Sequence, residues 1–218
     1  MIPKSLFDFL RELSDNNNRD WFNANKGRYK EEVVGPISSF IEAMAPRVHA
    51  ISEHVTVDPR PNGGSMFRIY RDTRFSKDKT PYKTHIGCQF RHAAGKDAHA
   101  PGFYVHFESG KCFFGGGVWH PPSEPLRAIR QRIVDKPERW REAVDGIDVL
   151  GDQLKRGPKG FDPEHPLIED LKRKSFFAMR EGDEKLARSK KLEDAVEAQF
   201  EVAAPLMGFV SDSIGVAF

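Results

Sequence analysis

The chain has 218 residues, of which 39% are hydrophobic and 30% charged, with 34 basic against 32 acidic side chains and a formal net charge of +2. That composition belongs to a globular chain and excludes a disordered or fibrous one, and the length suits one large domain over residues 1–218. The near balance of charge excludes a molecule-wide field for nucleic acid or membranes, so any electrostatic recognition must be local.

The N-terminus Met1-Ile2-Pro3-Lys4-Ser5 carries no long apolar leader, and no window nears the roughly 20 apolar residues of a spanning helix. A cytoplasmic protein with no membrane partner is the expectation. The first third predicts helices. Leu6, Phe9, Leu10 and Leu13 recur at helical spacing, with Phe7 widening the face. Asn16-Asn17-Asn18 breaks that pattern and caps a second helix carrying Trp21, Phe22 and Tyr29. Pro36 opens a third helix with an apolar stripe from Ile37 to Ile51, and Pro46 predicts a kink or stop near Ala45.

The middle third predicts short strands: Val55-Thr56-Val57, Met66 to Tyr70, His85 to Arg91, Gly102 to Glu108 and Cys112 to Trp119. Ser109-Gly110 marks a hairpin, and Phe103, Val105 and Phe107 alternate onto one face. The connections are too short for crossover helices, so the pairing is antiparallel. Cys88 and Cys112 fall on separate apolar segments without CxxC spacing and read as reduced, buried thiols. The last third returns to helices, with Ser123 as a cap, Pro137 as a start, a short helix through Leu167 and Leu171, and an amphipathic tail from Leu192 to Val210. Ser175 to Met179 is able to add a strand. The fold class is α+β, an antiparallel sheet flanked by helices from both ends of the chain.

Charge is concentrated in one stretch. The sixteen residues from Arg68 to Lys83 hold six basic and two acidic side chains, net +4, which leaves the remaining chain at −2. Arg68 lies in an apolar, strand-like run, and Arg71 and Arg74 flank Asp72 and Thr73. Guanidinium groups there can fork onto phosphate or carboxylate. Ser76 adds a hydroxyl donor, and Lys77, Lys79 and Lys83 supply longer-range attraction. An internal ion-pair network pinning a loop accounts for the same residues, as does a solvated charged hairpin.

Elsewhere the signals are weaker. Gly115-Gly116-Gly117 lacks the spacing of a phosphate loop and fits close backbone approach better. Lys159, in Pro158-Lys159-Gly160-Phe161, would join a cationic cleft if that turn folds beside the central stretch. His85, just past Lys83, is a candidate acid–base group with Asp72. The amides of Asn16-Asn17-Asn18, together with Arg19, are within the repertoire of ligand contacts. The histidines and cysteines have no zinc spacing, and no cofactor or metal is implied.

The run Arg68-Ile69-Tyr70-Arg71-Asp72-Thr73-Arg74-Phe75-Ser76-Lys77-Asp78-Lys79-Thr80-Pro81-Tyr82-Lys83 resembles the signature of the bacterial and fungal family known as domain of unknown function 2461. Asn17-Asn18-Arg19-Asp20-Trp21-Phe22, Gly115-Gly116-Gly117-Val118-Trp119 and Pro158-Lys159-Gly160-Phe161 with His165-Pro166 fit the same family. The resemblance spans nearly the whole chain and implies no activity, only that these segments belong together. The residues themselves support a binder of a phosphorylated or polyanionic ligand, a class that includes nucleotides and nucleic acid. A hydrolase or transferase on such a ligand, with Asp72 or His85 as acid–base group, and a basic-loop protein-interaction module remain as alternatives.

Overall fold

The computed structural model describes residues 1–95 and 99–218. Alternation of apolar residues builds a four-stranded antiparallel sheet from β1 (His85–Arg91), β2 (Gly102–Glu108), β3 (Lys111–Val118) and β4 (Phe176–Asp183), in spatial order β1-β2-β3-β4. The β2–β3 hairpin turns at Ser109-Gly110, where Gly110 takes a φ of 84° that a side chain disfavours. Ile86, Cys88, Phe90, Phe103, Val105, Phe107, Cys112 and Phe114 all point to one face and are buried.

Helices from both ends of the chain cover that face. α1 (Lys4–Asp15), α2 (Arg19–Ala24) and α3 (Lys26–Arg28) lead through a π-helical stretch, Tyr29–Val34, into α4 (Gly35–Ile51). All the apolar positions of α1 read from spacing are buried. Asn18 caps α2 by accepting from the Trp21 amide at 2.9 Å. α4 runs through Pro46 to Ile51 without the expected stop. Pro46 and Glu42, whose carbonyl loses its partner, both lie on the exposed side of the helix, where a freed oxygen costs least. The tail forms α9 (Leu192–Ser213), whose Phe200 stacks on Phe103 at 4.4 Å, while Phe40 of α4 meets Phe107 edge-on at 5.4 Å. Burying a Phe of this kind stabilises by about 1.5–3 kcal/mol relative to exposure.

A second apolar cluster lies beyond the end of β3. α5 (Ser123–Asp135), α6 (Pro137–Ala143) and α7 (Ile168–Leu171) pack Ile129, Ile133, Trp140 and Leu171 against Val118, Phe176 and the Phe209 side of α9. Trp140 meets Phe209 at 5.2 Å and donates its indole N–H to Asp170 Oδ2 at 3.0 Å. α8 (Glu184–Ala187) is capped by Asp183. The N-cap of α5 falls on Pro122 rather than Ser123, which enters the first turn without a side-chain cap bond. Among the described residues, no helix is long and apolar enough to cross a membrane.

Two expected strands do not form. Val55 and Met66 each make one isolated bridge to the β1 edge, to His92 and Cys88, and Tyr70 bridges Tyr82 instead. Between them, Pro59, Pro61 and Gly63-Gly64 turn the chain repeatedly, so it touches the edge without running along it.

Candidate anion site and adjoining cavity

Residues 69–83 form an irregular arm. Its base is closed by Lys83 N–H to Ile69 O at 2.8 Å and Arg71 N–H to Pro81 O at 2.9 Å, and Phe75 near its tip is 95% exposed. Asn17 anchors the arm. Its Nδ2 donates to Tyr82 O at 3.0 Å and its Oδ1 accepts from Tyr82 N–H at 3.1 Å, so one side chain imitates a neighbouring strand. Phe22 stacks on the Tyr82 ring at 4.1 Å. The amides of Asn16 and Asn18 serve the backbone of α1 and α2. The three asparagines are therefore structural, and the pattern that joins them to the basic stretch is explained by this docking.

Within the arm the cations divide. Arg71 is held by Asp78 and Thr80, and Arg74 by Asp72 through Nη2 at 2.7 Å and Nε at 3.0 Å. These bonds lower both carboxyls to about 2: for Asp72 the Arg74 side chain dominates, and for Asp78 the Thr80 amide and then Arg71. Lys79 donates to Thr73 O at 2.9 Å. Ser76 donates its backbone N–H to Thr73 O, and Lys77 is exposed. Arg68, Lys77 and Lys83 have no carboxylate partner among the described residues.

Lys83 is the unusual one. It is partly buried with its Nζ 5.4 Å from the centre of the Phe67 ring. Desolvation, and then the charge of nearby Arg68, lower its pKa. Burial and Lys83 in turn lower that of His85. Two cations and a histidine thus crowd together, with Asp72 near Arg68 and Glu108 near His85 as the carboxylates that act on them.

This crowding sits at the edge of a second feature that sequence reasoning did not find. The sheet face opposite the helices carries Gln89, Tyr104, Phe113, Phe177 and Met179, with Gln89, Tyr104, Gly115 and Met179 in register across the four strands, and Phe67 and Trp119 rise beside them to line a cleft of about 370 Å³. Phe67 is 6.3 Å from Tyr104, so the cleft adjoins Lys83 directly. His85 stacks on His106 at 4.5 Å, and His106 on Phe113 at 4.2 Å. His106 Nδ1 lies 3.1 Å from the Tyr104 hydroxyl and Nε2 lies 3.3 Å from Glu108 Oε2. Burial, then the neighbouring His85, lower the His106 pKa to about 4.

The glycines fit this arrangement. A Cβ on Gly87 would stand 2.5 Å from the Tyr104 hydroxyl, and one on Gly117, with φ at 143°, would stand 2.1 Å from Phe176 O. Close backbone approach is thus the structural role of the triple-glycine run, and Gly116 and Gly117 also line the cleft. Asp72 and His85 do not meet in any hydrogen bond: Asp72 is on the arm with Arg74, and His85 is on the sheet with His106. Lys159 is exposed on a turn whose Phe161 packs on the second cluster, whereas Ile69 and Tyr82 of the arm belong to the first. No group of three or more His, Cys, Asp or Glu is placed to hold a metal ion among the described residues.

A family model described as conserved hypothetical protein, DUF2461, matches residues 5–209 of the chain. No curated protein matches it.

Proposed function

Since the chain belongs to the DUF2461 family of conserved hypothetical proteins, a membership that brings no chemistry of its own, we propose from the geometry that it binds a phosphorylated or otherwise polyanionic ligand where the arm meets the open face of the sheet. The observation that carries this reading is the pair Arg68 and Lys83, two neighbouring cations with no ion-pair partner of their own, one of them partly buried at the mouth of a cleft; Asp72, the carboxylate that feels the charge of Arg68, is committed to Arg74. Crowding like charges with partial desolvation is unfavourable unless an anion joins them. Arg68 and Lys83 would contact the anion. Arg71 and Arg74, already engaged by Asp78 and Asp72, shape the arm, while Lys77 and Lys79 raise the local potential. Lys159 has no part in this arrangement.

Titration calorimetry with inorganic phosphate, pyrophosphate and ribose 5-phosphate tests the reading. Arg68→Ala and Lys83→Ala should each weaken binding roughly tenfold or more, the ~1.5–3 kcal/mol of a charge-assisted hydrogen bond, with melting temperature nearly unchanged. Added salt should weaken it further. Absence of binding in the millimolar range, or equal affinity in both variants, refutes it.

A hydrolase or transferase reading has one observation in its favour. His85 and His106 carry lowered pKa values beside Lys83, so an acid–base group would stand next to the bound anion. His85→Ala that binds phosphate esters but loses their turnover would support it. An unchanged turnover, or none in the parent protein on a panel of phosphate esters, would count against it.

A further inference from the structure

The cleft beside the cations has a composition that narrows the ligand. Its described lining contains no Leu, Ile or Val; aromatic rings dominate the walls, with Phe67, Trp119 and Phe177 contributed by three different segments, beside Met179, Gln89 and Ala100. Its floor is bare where Gly102 of β2 pairs with Gly117 of β3, so backbone, not side chain, meets whatever lies there. Flat faces and a flat floor suit a planar ring better than an alkyl chain.

One polar group on this surface has its proton direction fixed. Glu108 is acceptor-only when ionised, so His106 donates to it from Nε2. A neutral His106 then has a bare Nδ1, which accepts from the Tyr104 hydroxyl. The Tyr104 proton is committed to His106, and its oxygen presents lone pairs to an incoming donor. The groups facing His106 are His85 on β1, Tyr104 and Glu108 on its own strand, and Lys111 beyond Phe113 on β3. The space for the hydroxyl is built into β1, because any side chain at position 87 would collide with it.

We propose that the anionic ligand is a nucleoside monophosphate whose base carries a hydrogen-bond donor, with the base in the aromatic cleft donating to Tyr104 and the phosphate on Arg68 and Lys83. This rests on the anion reading above and adds the ring. The ring gives the cleft a purpose that a simple phosphate leaves unexplained, and the two parts adjoin because Phe67 touches both Lys83 and the cleft.

Calorimetry on the full chain with ribose 5-phosphate, AMP and adenosine separates the two ideas. AMP should bind at least about tenfold tighter than ribose 5-phosphate, since base stacking and one hydrogen bond are added. Tyr104→Phe, which keeps the ring and the packing, should lose the hydrogen-bond share of that advantage, about two- to tenfold, while ribose 5-phosphate binding is unchanged. Lys83→Ala should weaken both phosphates alike and leave adenosine alone. AMP should also quench the fluorescence of Trp119, which is 54% exposed, and the quench should vanish in Trp119→Phe. Equal affinity for AMP and ribose 5-phosphate, or a Tyr104→Phe variant that keeps the full difference, overturns this inference and leaves the anion reading standing. No binding of either phosphate overturns both.

Discussion

Acid should destabilise this protein through His106. An ordinary histidine titrates near 6.5, and His106 does so at about 4, because burial and neighbouring His85 oppose its charge. The unfolded chain therefore takes up a proton between pH 6.5 and 4 that the folded chain refuses. Over that window unfolding free energy falls with acidification, and at ~1.4 kcal/mol per pH unit the loss amounts to about 3 kcal/mol. Below about pH 4 both states are protonated and this group contributes no further loss. The assay is urea unfolding at pH 7, 5.5 and 4, of the parent protein and of His106→Gln. The variant should be the less stable at pH 7, because Tyr104 and Glu108 lose a matched partner. Its deficit should shrink as the pH falls to 4, by up to about 3 kcal/mol, with neighbouring His85 and Glu108 sharing in the difference. Parallel curves for the two proteins between pH 7 and 4 would refute both the neutral state of His106 and the tautomer assigned from it.

Two further substitutions test the frame around the site. Asn17→Ala should cost about 2 kcal/mol, since it strands both backbone groups of buried Tyr82, and limited proteolysis should then cut within residues 71–80 at rates the parent never shows. Gly117→Ala should lose about 2 kcal/mol or more and broaden the thermal transition, because a Cβ meets Phe176 O on a backbone of positive φ; a melting temperature equal to the parent's would show that β3 and β4 can separate freely there.

Much of the sheet was legible because one of its faces is uniformly apolar. Phe103, Val105 and Phe107 alternate with a period of two, and Ser109-Gly110 sits at their end, so both the hairpin and its register follow. The segments around Val55 and Met66 have the same β-branched and aromatic character, yet bridge at single residues, since strand propensity says nothing of whether an edge is followed or merely touched. In the basic stretch the residues were legible and their division was not. Which arginine keeps a carboxylate depends on how the arm folds back, and that places Asp78 on Arg71 and leaves Arg68 open. The cleft was missed because the same alternation casts Gln89, Tyr104 and Phe113 as the wet face of the sheet. Their aromatic content was the available signal: rings on the face that alternation assigns to water mark a surface built to meet something other than water.

The clamp of Asn17 on Tyr82 has a consequence for how the molecule is made. The two residues are 65 positions apart in the chain, so at ~5–20 residues per second Asn17 leaves the ribosome roughly 3–13 s before its partner. Helix formation takes about a microsecond and does not limit this step, but α1 and α2 are only 12 and 6 residues long and bury their apolar residues in one core with strands that begin at His85. The clamp therefore closes only once the chain beyond the arm has been made and the sheet gives the helices something to pack on, so the geometry of the arm is fixed late, by residues from both sides of it in the sequence.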